Sequence, residues 1–141
     1  HASIYGNTAA VAHRIAEQLR NKCVEVKEID LCRSDMSEAV SQAFRFGKMV
    51  LCAASYDGGV FPPMHEFLYK LGIKGYQSHR VGVVENGTWA PTAGKTICSM
   101  LQQMKNIDIV SPILTIRSAW KEDYQQDLEM LVVGVIREEC M

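Results

Sequence analysis

Six consecutive apolar residues stand between a lysine and a serine in the run Lys48-Met49-Val50-Leu51-Cys52-Ala53-Ala54-Ser55. A strand with one face in water alternates apolar and polar residues. An unbroken apolar run bounded by turn residues instead belongs to a strand covered on both faces. Arg80-Val81-Gly82-Val83-Val84-Glu85 repeats the pattern. Two such strands need helical layers on either side, and the intervening sequence supplies them.

"PMHEFLYKLG", starting at Pro62 or Pro63, reads as a helix pre-set by proline and closed by Gly72. "TWAPTAGKTICSMLQQMKN" holds a helix from near Pro91, with Ile97, Met100, Leu101 and Met104 on its core face. Upstream, "MSEAVSQAFRFG" is a short helix with Asp35 or Ser37 as cap and Gly47 as stop. "CVEVKEIDL", Cys23 to Leu31, alternates Val24, Val26 and Ile29 with charged residues, which predicts a partly exposed edge strand. Before it, "AAVAHRIAEQL" forms a helix starting near Asn7 or Thr8. Downstream, Ile107–Arg117 predicts a strand that Pro112 places at an edge or a bulge, and the chain closes with a long helix.

Strict alternation of helix and strand predicts the α/β class, with a parallel sheet between helices on both faces. Ligands of such sheets sit beyond the carboxyl ends of the strands. The loops at 3–8, 55–61 and 85–91 are rich in glycine and polar residues and should meet there. In Ser3-Ile4-Tyr5-Gly6-Asn7-Thr8, Gly6 permits close backbone approach, and Ser3, Tyr5, Asn7 and Thr8 carry side-chain donors before a helix N-terminus. That set suits a phosphate group. It equally suits a helix cap satisfying its own backbone. With Tyr56 and Trp89 in the other two loops, the ensemble points to a planar ligand with a phosphate tail.

Composition narrows the classes. The 141 residues are 48% hydrophobic and 22% charged, values of an ordinary globular domain. A net charge of −1 offers no electrostatic case for nucleic acid. No apolar run reaches the roughly 18 residues that span a bilayer, so no membrane association and a cytoplasmic location are expected. Cys23, Cys32, Cys52, Cys98 and Cys140 form no metal-binding spacing and read as free thiols. His1, His13, His65 and His79 are scattered, which argues against a metal centre. The chain opens on His1, and its first loop follows without a preceding strand. The expectation is one domain over 1–141, a fragment of a longer protein whose first strand is largely missing.

"SIYGNT", "SYDGGVFPP" and "ENGTWAP" resemble the three flavin mononucleotide loops of the flavodoxin-like fold. The first two are most similar to the C-terminal flavodoxin domain of A-type flavoproteins, the flavodiiron proteins. This resemblance implies a three-layer α/β/α sandwich with strand order 2-1-3-4-5. It implies FMN as cofactor, its phosphate held by Ser3, Tyr5, Gly6, Asn7 and Thr8. Ser55, Tyr56, Asp57, Gly58 and Gly59 would line one side of the isoalloxazine ring; Glu85, Asn86, Gly87, Thr88 and Trp89 would line the other. The third loop departs from the family's Gly-Ser-Tyr-Gly-Trp-Gly pattern, which favours Trp89 over Tyr56 as the stacking residue. Gly58, lacking a Cβ, is expected to turn its peptide toward flavin N5 on reduction.

The same resemblance implies a parent protein with a diiron, metallo-β-lactamase-like domain that reduces oxygen or nitric oxide. It further implies an electron donor such as rubredoxin or a reductase, and a homo-oligomer in which flavin and iron meet. The near-zero net charge fits a tethered domain better than a free flavodoxin, which is typically strongly acidic. Two other functions share this scaffold: a stand-alone NAD(P)H-dependent quinone or flavin reductase, and a flavin-free binding module.

Overall fold

The computed structural model describes residues 1, 7–56, 59–87, 92–110, 113–117 and 121–136. The long apolar run becomes β1 (Lys48–Tyr56), which turns back into the short antiparallel β2 (Gly59–Val60). Beside β1 lies β3 (Arg80–Asn86), parallel and in register from Lys48↔Arg80 to Ala54↔Asn86. On the far side of β3, β4 (Asp108–Ile109) and β5 (Leu114–Ile116) both pair with it in parallel. Five helices complete the described structure: α1 (Asn7–Asn21), α2 (Met36–Arg45), α3 (Pro62–Ile73), α4 (Ala93–Gln102) and α5 (Gln125–Ile136).

Period-two alternation along the strands divides the core. Leu51, Ala53, Val81 and Val83 face α2, α3 and α4, where Val40, Leu68 and Ile97 are buried. Cys52, Val84 and Leu114 face α1 and α5 and meet Val11, Ile15, Leu128 and Leu131. The result is the expected three-layer α/β/α arrangement with a parallel central sheet. Gly82 sets how near α5 can come, since a Cβ there would lie 3.1 Å from both Leu131 Cδ1 and Val135 Cγ2. At the amino edge of the sheet the buried Arg80 guanidinium pairs with Asp108 at 3.0 Å and donates to the Gly134 carbonyl. One side chain thus joins β3, β4 and α5.

Asp35 caps α2 as predicted, its carboxylate accepting the Ser37 N–H. Two sequence expectations need correction. Cys23–Leu31 does not form a strand: residues 24–30 belong to no regular element, and among the described residues the segment's ladder is a single pair. In that pair the His1 nitrogen donates to the Ile29 carbonyl at 2.7 Å and the Leu31 N–H to the His1 carbonyl at 2.9 Å. Alternation describes an extended amphipathic chain, but a strand also requires a neighbour along its length. Ile107–Arg117 forms two short strands rather than one, interrupted around Pro112, which itself lies outside the described residues.

Burial pushes the Cys52 thiol up to about 11. A folded pKa above the unfolded value of 9.0 favours the protonated fold, so the contribution is complete below pH 9 and fades as pH rises toward 11. Loss of about 3 kcal/mol over that window is expected from this group. Urea titrations of the parent and of Cys52→Ala between pH 8 and 11 should show the shallower pH dependence in the variant.

Candidate functional site

The carboxyl ends of the strands bring two of the three loops together. Because Ala53 pairs with Glu85 and Ala54 with Asn86, Ser55 emerges level with Gly87. Ser55 and Tyr56 end β1 and pair with Val60 and Gly59 of β2. Gly87 follows β3 and donates its N–H to the Ile116 carbonyl at 3.0 Å, which ties the third loop's start to β5. Asn86 is buried at the last position of β3. The first loop's helix also starts at this edge: Thr8 is 2% exposed, and Val11 one turn later packs with Val84 and Leu114. Asn7 is the first residue of α1. Ser3, Tyr5, Gly6, Asp57, Gly58, Thr88 and Trp89 lie outside the described residues.

Two of the predicted site residues do something the sequence did not show. The Ser55 hydroxyl oxygen accepts the N–H groups of Thr92 at 2.9 Å and Ala93 at 3.1 Å. Glu85 accepts the Gly94 N–H at 2.7 Å and the Thr115 hydroxyl at 2.7 Å. Both side chains therefore cap α4 from the sheet, whereas its own N-cap residue, Thr92, makes no side-chain cap. A carboxylate at this position also meets the positive end of the helix dipole. Gly94 is required for the contact, since a Cβ there would sit 2.7 Å from Glu85 Oε2. Thr92, Gly94 and Thr115 are the supporting residues that sequence reading missed. The "AG" at the start of the α4 pattern was the available signal for a close approach.

The helix N-termini among the described residues differ as anion sites. That of α4 is filled by Ser55 and Glu85. The first turn of α3 contains Pro62 and Pro63, which have no N–H to offer. The first turn of α5 carries Asp127, and Glu122 and Asp123 precede it. The first turn of α1 carries no acidic residue, and its first backbone N–H groups have no partners within the helix.

No cluster of metal-ligating side chains occurs among the described residues. Burial first, and the Glu85 carboxylate second, push the Cys98 thiol up, which disfavours its thiolate form. Among the described residues no helix is long and apolar enough to cross a membrane.

No protein-family model matches the chain, and no curated protein matches it. Solved structures do. Rubredoxin oxygen:oxidoreductase from the anaerobe Desulfovibrio gigas superposes with a TM-score of 0.89 at 16% identity, over 95% of this chain and 33% of that one. The present chain therefore spans about a third of that protein's length. Oxidised flavodoxin 1 from Bacillus cereus gives a TM-score of 0.83 at 18% identity, covering 96% of this chain and 92% of the flavodoxin. The flavodiiron protein from Giardia intestinalis gives 0.83 at 15% identity, covering 95% and 33%. Parallel strands, helices on both faces and these superpositions agree that the chain has the flavodoxin-like fold.

Proposed function

We propose that the chain is an FMN-binding electron-transfer domain, with the flavin lying across the carboxyl ends of β1 and β3. The observation that supports this reading is the meeting of the second and third loops at the carboxyl ends of β1 and β3, with the start of α1, whose first turn has no acidic residue, following the first loop. The residues present fit such a cofactor. Buried Thr8 and the first N–H groups of α1 would hold the phosphate, aided by Ser3, Tyr5, Gly6 and Asn7. Tyr56, Asp57, Gly58 and Gly59 on one loop, and Asn86, Gly87, Thr88 and Trp89 on the other, would flank the ring. Ser55 and Glu85, which would line the same pocket, also cap α4 and so fix the starts of the two loops. Bound FMN would supply one- and two-electron redox chemistry, and the protein's part is position and polarity.

The finer reading is a domain of a flavodiiron-type oxygen or nitric oxide reductase. Its likeness to rubredoxin oxygen:oxidoreductase and to the Giardia flavodiiron protein supports this. A metallo-β-lactamase-like diiron domain would then accept the electrons, a donor such as rubredoxin would supply them, and the parent would be a homo-oligomer. Full-length similarity to flavodoxins supports a second reading, a stand-alone electron carrier.

Titration of the apo-protein with FMN, followed by quenching of flavin fluorescence, is expected to saturate. Gly6→Val should weaken binding by about 100-fold, or ~2.7 kcal/mol, by placing a branched side chain against the phosphate. Equal affinity in both proteins, or no binding in either, would refute the proposal.

A further inference from the structure

Of the asparagines at 7, 21, 86 and 106, only Asn86 precedes a glycine. The main-chain nitrogen that follows an asparagine can close a ring on the side-chain carbonyl carbon. A side chain on the following residue hinders that closure, and glycine has none. Thr8, Lys22 and Ile107 follow the other three asparagines. Asn86–Gly87 is therefore the position where the chain's own chemistry most favours loss of a side-chain amide.

The fold opposes that reaction. Asn86 ends β3 between two strands, opposite Ala54 of β1 and Ile116 of β5. An extended ψ turns the Gly87 nitrogen away from the Asn86 side chain. The Gly87 N–H is committed to the Ile116 carbonyl at 3.0 Å, and a bonded N–H gives up its proton less readily. Asn86 is also only 8% exposed, which limits water and base. The commitment of Gly87 rests on a short element. β5 spans only Leu114–Ile116, and the Thr115 hydroxyl ties it to the Glu85 carboxylate at 2.7 Å.

We propose that Asn86 is a site of spontaneous deamidation gated by β5: the side-chain amide survives while β5 is paired, and each opening of the β3–β5 ladder exposes it to attack. The Gly87 nitrogen, its proton given to hydroxide, attacks Asn86 Cγ. The N–Cγ bond forms, the Cγ–Nδ2 bond breaks, and the departing nitrogen takes a proton from water and leaves as ammonia. Water then opens the succinimide at either carbonyl, giving aspartate or isoaspartate at position 86. The change is one-way. Asn86 lies on the same face of β3 as Val84, towards α1 and α5, so the product places a carboxylate where the fold buries an amide. Isoaspartate also adds a carbon to the main chain just where Gly87 must reach Ile116, so a modified chain holds β5 less well. The pair acts as a clock on the start of the third loop, with its rate set by β5. None of this depends on flavin binding.

The test follows deamidation of the whole chain at mildly alkaline pH by peptide mass mapping, in buffer and in denaturing urea, alongside hydrogen exchange of the Gly87 N–H. In urea Asn86 should react ahead of Asn21 and Asn106. In buffer its rate should fall by about 100-fold, and the Gly87 N–H should be protected by a similar factor, because one local opening governs both. Thr115→Val keeps the side chain's shape but removes the tie to Glu85. It should raise deamidation and Gly87 exchange together by about tenfold in buffer and change neither in urea. Equal rates for Asn86 in buffer and urea, or Asn86 reacting behind Asn21 in urea, would overturn the proposal. So would Thr115→Val rates no different from the parent's, or exchange that rises without deamidation.

Discussion

Glu85→Ala will lower the free energy of unfolding by about 3 kcal/mol, the cost of removing two hydrogen bonds to a charged acceptor inside a partly buried site. Its carboxylate accepts from the Gly94 backbone and the Thr115 hydroxyl, so its loss frees an N–H at the start of α4 and a hydroxyl on β5 together. Glu85→Gln should recover most of the loss. A carboxamide oxygen can still accept from Gly94, and its NH₂ can donate to the Thr115 oxygen, which both gives and receives. Urea midpoints of the two variants separate these outcomes. If Glu85→Ala and Glu85→Gln were equally damaging, the negative charge at the helix terminus would matter more than the hydrogen bonds. If neither were damaging, the cap would contribute nothing.

Leu131→Ala will cost about 3 kcal/mol, because Leu131 is fully buried between α5 and the sheet and its loss leaves a cavity. Gly82→Ala at the facing position will cost about 1 to 2 kcal/mol by overpacking, since the new Cβ would stand 3.1 Å from Leu131 Cδ1. The two defects are complementary in volume and adjacent in space. Combined, they should cost at least about 1 kcal/mol less than the sum of the single changes. A double-mutant cycle by urea denaturation measures the difference, and strict additivity would show that Val135, the other neighbour at 3.1 Å, sets the limit alone.

How much of this was legible in the sequence depended on whether the signal was local. The apolar runs at 48–55 and 80–85 announced covered parallel strands, because burial on two faces is written into consecutive residues. The helices were readable from periodicity, and the cap of α2 from Asp35. Cys23–Leu31 was misread because its alternation records which side chains face water and says nothing about a pairing partner. That the second and third loops would meet at the strand ends was legible, because both follow apolar runs that read as covered parallel strands. That Ser55 and Glu85 would turn to the first turn of α4 was not, because those pairs lie 37 to 38 and 9 residues apart and only the finished sheet brings them into contact. The importance of Gly82 was equally hidden, since it depends on where α5 lands.

The capping of α4 by two sheet residues separates an anchoring duty from a recognition duty. Where a loop itself secures the helix that follows it, a change in the loop costs stability as well as contacts. Here the helix start is fastened by Ser55 and Glu85, which lie on the sheet and not next to the helix in sequence. Substitutions in the segment that leads into α4 can then accumulate without unfastening it.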